Sequence, residues 1–283
     1  MIIIQKILRK GSLKMTDILE KMKGFMKNSV DIDFKFGESV PCGGSKFGGR
    51  PDVPEGFEWT VFDDMPLSFI AQFDLSEVSA YDKDGLLPTE GVLSFFYEID
   101  SMGMDWGFDP KTEGCARVFY FPPEAKLSPA PFPEELEEEY RLPEAKAVMS
   151  SKMFYPDPCD DTEEYGLTEE EEDEYFDAYD EISDELPGRI SKLLGHPNLI
   201  QDSIPLECEL VSRGIYTGSG YPEITEEMKE AAKEWVLLFQ LDSFDNDDCG
   251  LMFGDDGRIY WYIKKDDLAN KRFDKAHLVL QCY

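Results

Sequence analysis

The apolar positions of this chain change their period as the sequence proceeds. Near the start, Ile18, Leu19, Met22, Phe25 and Met26 recur at helical spacing, with Lys21, Lys23 and Lys27 opposite. This pattern predicts an amphipathic helix of about three turns. Asp17, with Glu20 three residues on, can satisfy the free N–H groups of its first turn. A helix docked on the chain's own acidic body explains those lysines better than a membrane anchor does. Residues 1–14 read as an extension. From residue 31 the texture becomes short apolar runs broken by Gly, Pro, Asn and Asp. Segments 67–74, 92–99, 116–121, 236–242, 259–263 and 278–282 read as strands. In 92–99, Leu93, Phe95, Tyr97 and Ile99 share one face, and Val92, Ser94, Phe96 and Glu98 the other. Leu93, Phe95, Phe239, Trp261 and Leu278 sit mid-run and are the expected core.

The stretch from about 124 to 186 is polar. Between Lys152 and Arg189 there are sixteen acidic residues and no basic one. Within it, Thr168 and Glu171 form a capping box, and Tyr175, Phe176, Tyr179, Ile182 and Leu186 follow at helical spacing. A helix over 169–186, docked by its aromatic side and exposing its carboxylates, is expected. A further short helix runs from Thr225 to Lys233, with Glu230 and Lys233 spaced to meet.

Composition narrows the function. The 60 acidic and 28 basic residues of the 283 give a net charge of −32. Such a field repels phosphate backbones and anionic headgroups, which argues against nucleic-acid and membrane partners. At 42% hydrophobic and 13% aromatic, the chain has ample core material. The six cysteines, Cys42, Cys115, Cys159, Cys208, Cys249 and Cys282, form no C-x-x-C pair and read as free thiols of a reducing cytosol. Lys6, Arg9 and Lys10 interrupt the opening apolar run before a signal-peptide core develops. The expected location is cytoplasmic.

Self-similarity adds a topological expectation. Ser45-Lys46-Phe47-Gly48-Gly49-Arg50-Pro51 parallels Ser191-Lys192-Leu193-Leu194-Gly195-His196-Pro197. Segments 69–74, 91–96 and 116–119 parallel 237–242, 257–262 and 276–279 in the same order. The fold expected is α+β: a large mixed or antiparallel sheet from two duplicated strand-rich halves, with peripheral helices. Residues 1–30 form the extension and first helix, 31–133 the first half, 134–186 an acidic connection and 187–283 the second half, with 31–283 one compact domain. The 45–51 run, 194–201, 206–210 and 253–260 resemble the YwqG-like family of bacterial proteins over roughly 30–283. That resemblance implies a compact α+β fold and no activity, since the family is a domain of unknown function.

Candidate chemistry is sparse. His196 and His277 are the only histidines, too few for a convincing nucleophilic triad. In the repeated frame His196 matches Arg50 and His277 matches Arg117, which suggests either an anion site or internal ion-pair partners. The glycines around Ser45-Lys46 form a turn, since Pro51 and Pro54 forbid the helix that a phosphate loop opens. Asp245 to Asp256 imitates a calcium loop with cysteine and aspartate in the wrong places, so no metal site is assigned beyond weak divalent binding. Asp74 and Asp242 each follow a glutamine, Gln72 and Gln240, by two residues. They are either catalytic or binding carboxylates, or hydrogen-bond anchors for strand ends. The favoured reading is a non-catalytic cytoplasmic protein that binds a basic protein partner, as an inhibitor or immunity-type protein would, with no cofactor. The alternative is an enzyme or small-molecule binder using a cleft between the halves, with Gln72, Asp74, Gln240 and Asp242.

Overall fold

A computed structural model describes residues 13–99, 106–161, 163–183, 186 and 189–283. Ten strands make one antiparallel sheet: β1 (Lys27–Phe36), β2 (Lys46–Phe47), β3 (Ser68–Asp74), β4 (Val92–Tyr97), β5 (Ala116–Phe121), β6 (Ala145–Phe154), β7 (Ser191–Leu193), β8 (Trp235–Asp242), β9 (Arg258–Lys264) and β10 (His277–Gln281). Their order across the sheet is β10-β9-β8-β7-β1-β6-β2-β3-β4-β5. The centre is the β1–β6 pair, in register from Lys27 opposite Phe154 to Phe36 opposite Ala145. Each central strand then joins a wing: β1 pairs with β7, and β6 pairs with β2.

The wings curl until they face each other. Phe73 and Phe95 from β3 and β4 meet Phe239 and Trp261 from β8 and β9, with ring centroids 4.8–5.3 Å apart. Leu93, Phe95, Phe239, Trp261 and Leu278 are all buried in this core, as their mid-run positions require. The two edge strands also approach: Tyr120 of β5 packs on Phe273 just before β10, and Leu280 N–H of β10 donates to Trp106 O at 3.1 Å. The sheet is thus an almost closed barrel filled with side chains.

The two wings share local devices. A bulge falls between Phe69 and Ala71 in β3 and between Leu237 and Phe239 in β8. The displaced carbonyls of Ile70 and Leu238 accept from Gly48 N–H at 2.8 Å and Leu194 N–H at 3.2 Å. After β2 the chain turns through Gly48 and Gly49, and after β7 through Leu194 and Gly195, all four with positive φ. A Cβ on Gly48 would stand 2.2 Å from Pro143 O, and one on Gly195 would stand 2.0 Å from Ser29 Oγ. Close backbone approach as well as φ therefore requires glycine there.

Two expectations need correction. The segment 134–186 is more than an acidic connection, because it supplies the central strand β6. That strand alternates with weak apolar residues: Ala145, Ala147 and Met149 join the core, while Lys146 and Val148 face water. The first helix, α1 (Leu13–Met22), begins upstream of Asp17. Leu13, Lys14 and Met15 are good helix formers with no breaker before Asp17, so Asp17 and Glu20 lie inside the helix.

Small helices complete the fold: α2 (Leu75–Val78), α3 (Glu169–Ser183), α4 (Pro205–Ser212), α5 (Glu226–Ala232) and α6 (Lys265–Ala269). α1 and α3 pack together through Ile18, Leu19 and Met22 against Tyr175, Ala178, Tyr179 and Ile182. α4 covers the outer face of β8 and β9, where Ile204 and Cys208 meet Leu237, Tyr260 and Tyr262. Phe57 and Trp59 cover the outer face of β3–β5. All six cysteines are free, with Cys42 and Cys159 exposed and the others buried. Among the described residues no helix is long and apolar enough to cross a membrane.

Candidate functional site

Each wing holds a buried lysine opposite a buried glutamine. In the first, Lys46 of β2 sits across from Gln72 of β3. Gln72 Oε1 accepts from Asp52 N–H at 2.9 Å, and its Nε2 donates to Gly44 O at 3.0 Å and Asp52 Oδ2 at 2.7 Å. Asp52 Oδ2 also accepts from Gly43 N–H and lies 3.0 Å from Lys46 Nζ. Burial pushes the Asp52 carboxyl up, but the Gly43 N–H, Lys46 and Gln72 outweigh it and hold it below the usual range.

The second wing repeats the arrangement with one change. Lys192 of β7 sits across from Gln240 of β8. Gln240 Oε1 accepts from Asn198 N–H at 2.9 Å and its Nε2 donates to Ile190 O at 2.7 Å. Lys192 Nζ donates to Asn198 Oδ1 at 2.5 Å and lies 3.9 Å from the Phe154 ring centroid. Burial drives the lysine down to about 7, with Asp157 opposing that shift.

The carboxylates at the strand ends are anchors. Asp74 Oδ1 accepts from Ser76 N–H and caps α2, while its own N–H donates to Ser45 Oγ. Asp242 Oδ2 accepts from Ile190 N–H at 2.9 Å and from Arg258 Nε at 2.8 Å. The structure brings Gln72 to Lys46 and Asp52, and Gln240 to Lys192 and Asn198. It does not bring these two groups together: in the sheet order Gln72 and Gln240 lie five strands apart and Lys46 and Lys192 three. Both glutamines alternate with Phe73 and Leu241, whose side chains fill the space between the wings.

His196 Nε2–H donates to the Phe25 carbonyl at 2.7 Å, since a carbonyl can only accept. Burial, aided by Lys27, holds its ring neutral with a pKa down to about 3. His277 does the same with Gly107 O at 2.8 Å and is likewise lowered by burial. Both ring donors are thus committed to backbone carbonyls. Arg50 is exposed, in the other wing from His196. In the 245–256 loop, Asn246 Oδ1 accepts from Asp248 and Cys249 N–H, and Asp256 pairs with Arg189 Nη2 at 2.8 Å.

Two surface features remain. α3 is capped as its sequence requires: Thr168 N–H donates to Glu171 Oε2 at 2.8 Å, and Glu171 N–H to Thr168 Oγ1 at 3.3 Å. Tyr175 O–H donates to Pro156 O at 2.5 Å and Tyr179 O–H to Asp157 Oδ2 at 3.3 Å, which ties the helix down. Phe176 departs from the expected buried stripe and is 46% exposed. Successive helical residues point about 100° apart, so Tyr175 and Phe176 cannot both face the body. The second feature is a cavity of about 800 Å³ beside β8 and β9, reached by Lys27, Trp235, Tyr262 and Lys265. No sequence motif marks it, because its walls come from seven separated stretches of chain.

No curated protein matches the sequence. The family model described as a domain of unknown function, DUF1963, matches residues 45–282, a span that opens at the turn before Lys46, closes at the end of β10 and contains both lysine–glutamine groups. With most of its length so matched, the chain belongs to the DUF1963 family.

Proposed function

We propose that this protein works by binding, without catalysis, and that the exposed ridge of α3 receives a basic protein partner in the cytoplasm. One observation carries this reading: Phe176 stands open to solvent with exposed Glu172, Asp173, Asp177 and Asp180 around it on the same helix. An aromatic face ringed by carboxylates suits an arginine or lysine, which can stack on the ring and pair with the acids together. The capped, tyrosine-anchored helix presents these groups in a fixed array, and the acidic field speeds encounter with a cationic surface. An inhibitor or immunity-type role would use the same surface. The commitment of both histidines to backbone carbonyls, and of Asp74 and Asp242 to structural anchoring, favours binding over catalysis. Six unpaired cysteines favour a reducing compartment.

We infer also that the chain is YwqG-like and that its two wings are copies of one unit. The four sequence phrases support the first reading. The shared register, paired bulges and paired left-handed turns support the second.

The test compares two triple variants of equal charge by calorimetry against cytochrome c as a basic probe protein. Reversing Asp173, Asp177 and Asp180 to lysine is expected to weaken binding about tenfold or more, and Phe176→Ala several-fold. Reversing Glu134, Glu135 and Glu137 to lysine should change it by less than about threefold, as for scattered surface charges. Equal losses in both triple variants would reject the ridge and leave only net charge.

A further inference from the structure

One stretch of the sheet has an empty place beside it. β6 spans Ala145–Phe154, yet β2 pairs with it only at Ala145 and Lys146, after which Ala147 N–H donates to Ser45 O at 3.1 Å. Backbone groups alternate sides along a strand. The N–H and C=O of Met149, Ser151 and Met153 therefore point the same way as those of Ala147, away from β1. Among the described residues none of these groups has a hydrogen-bond partner. The edge is open to solvent: Val148 is 44% and Met153 54% exposed, and Ser150 and Ser151 are exposed as well.

Folded sheets ordinarily blunt an open edge with proline, a bulge or free charge. β6 uses none of these. Its register with β1 is unbroken, it holds no proline, and both its lysines are committed, Lys146 to Glu38 at 3.3 Å and Lys152 to Asp31 at 2.6 Å. The edge of β1 beyond Ile32 is also unpaired, but exposed Asp33 and Lys35 stand along it. The outermost strands are shielded, β5 by Phe273 and β10 by Trp106.

A hollow of about 480 Å³ lies beside the undefended edge. Four consecutive residues of β6, Lys146 to Met149, line it, which places it along the rim of the strand instead of over one face. Ser45 borders it where β2 begins, and Pro41, Ala80 and Tyr81 give it an apolar wall. Of its two charged residues, Lys146 is paired, and Glu77 makes no ion pair among the described residues. Lys83, whose N–H donates to Asn28 Oδ1 in the pair with Met153, turns its own Nζ onto Ala80 O at 2.6 Å. The uncompensated charge lining the hollow is thus acidic, like the net charge of −32 on the chain.

We propose that this edge takes up an extended, basic segment of a partner protein as an added strand, with apolar side chains in the hollow and lysine or arginine at the alternate positions facing solvent. An open row of N–H and C=O groups recognises another extended backbone, and the hollow beside it selects the inward side chains. The acidic field favours cations on the outward ones. A second copy of the chain would bring its own charge of −32 to the same edge, which disfavours self-pairing. The edge is separate from the α3 ridge, so either can fail without the other.

Calorimetric titration of the full chain with a capped octapeptide alternating lysine and valine tests the proposal. Two comparison peptides are used: one with glutamate in place of lysine, and one that keeps the lysines but is N-methylated along both edges. The lysine–valine peptide should bind saturably with one molecule per chain. Each comparison peptide should be at least about tenfold weaker, the first through charge and the second because it cannot pair as a strand. Ser151→Pro removes one outward N–H and leaves the ladder to β1 in place, so it should weaken the peptide about tenfold with the thermal transition retained. Ser151→Ala keeps the backbone group, and Phe176→Ala alters only the ridge, so each should change binding by less than about twofold. Equal binding of the N-methylated peptide would reduce the site to charge and overturn strand addition. Equal binding of the glutamate peptide would overturn the basic class. A dimer in sedimentation that Ser151→Pro dissolves would assign the edge to a second copy, and no saturable binding of the lysine–valine peptide would overturn the site.

Discussion

Lys46 and Lys192 occupy matching places in the two wings, each buried, each across from a glutamine that ties down the following turn. Lys46 faces the carboxylate of Asp52 at 3.0 Å, with Glu144 at 3.5 Å. Lys192 faces the amide oxygen of Asn198 and the ring of Phe154. The glutamines' hydrogen bonds to the backbone are the same in both: Oε1 takes the N–H of residue 52 or 198, and Nε2 gives to the carbonyl of residue 44 or 190. The turn geometry thus depends on the glutamine. The charge state of the lysine depends on whether the next side chain is a carboxylate or an amide, and where it is an amide, burial brings the lysine down to about 7.

This comparison can be broken in several ways. Asp52→Ala would leave Lys46 buried without its main counter-ion, and should cost about 3–5 kcal/mol in urea denaturation. A much smaller loss would mean that Glu144 alone can neutralise the lysine. Gln72→Leu and Gln240→Leu should each cost about 1–3 kcal/mol for each backbone group orphaned. If the glutamines do the same work, the two losses should agree; a loss in one wing only would refute their equivalence.

The third test uses pH. Lys192 has a folded value near 7 against 10.5 in the unfolded chain. Below pH 7 both states are protonated and the burial penalty is fully present. Between pH 7 and 10.5 the unfolded chain holds a proton that the folded chain has released, so this residue makes stability rise with pH. The gain is about 1 kcal/mol from pH 7 to 8. Asn198→Asp, which supplies the missing carboxylate, should flatten that rise when denaturation midpoints are compared across pH 7–9; an unchanged slope would assign it to other groups. The smallest effect is expected from Glu144→Gln, below about 1 kcal/mol, since that side chain is partly exposed. A larger loss would show that Lys46 needs both acids.

Legibility in the sequence followed side-chain bulk. β3, β4, β5, β8, β9 and β10 were readable because each carries several large apolar residues in a row or in alternation, and α3 because its cap and tyrosines have fixed spacing. β6 hid because its buried face is built from Ala145, Ala147 and Met149, which carry little strand signal. β1 hid among Asp31, Asp33 and Lys35, although Val30, Ile32, Phe34 and Phe36 do alternate between them. The candidate residues were partly legible. Gln72 and Gln240 stood out as a matched pair, but Lys46 read as part of a turn and Lys192 was not singled out, because burial of a lysine depends on strands distant in sequence. The cavity could not be read at all, since Lys27, Leu86, Trp235 and Tyr262 meet only through the curl of the sheet.

The crossing of the central strands has a consequence for synthesis on the ribosome. β1 is made early, yet its two neighbours are β6 and β7, so Val30 must wait for Ser151 on one side and Leu193 on the other. The first wing likewise waits for β6 to cover β2. One edge of β1 stays open until β7 of the second half is made, and long-range pairings of this kind form slowly. Through most of elongation the nascent chain carries open strand edges, the state in which strands of neighbouring chains can pair wrongly. The charge on this chain then acts before the fold exists: mutual repulsion between nascent copies keeps those edges apart until the last strand emerges.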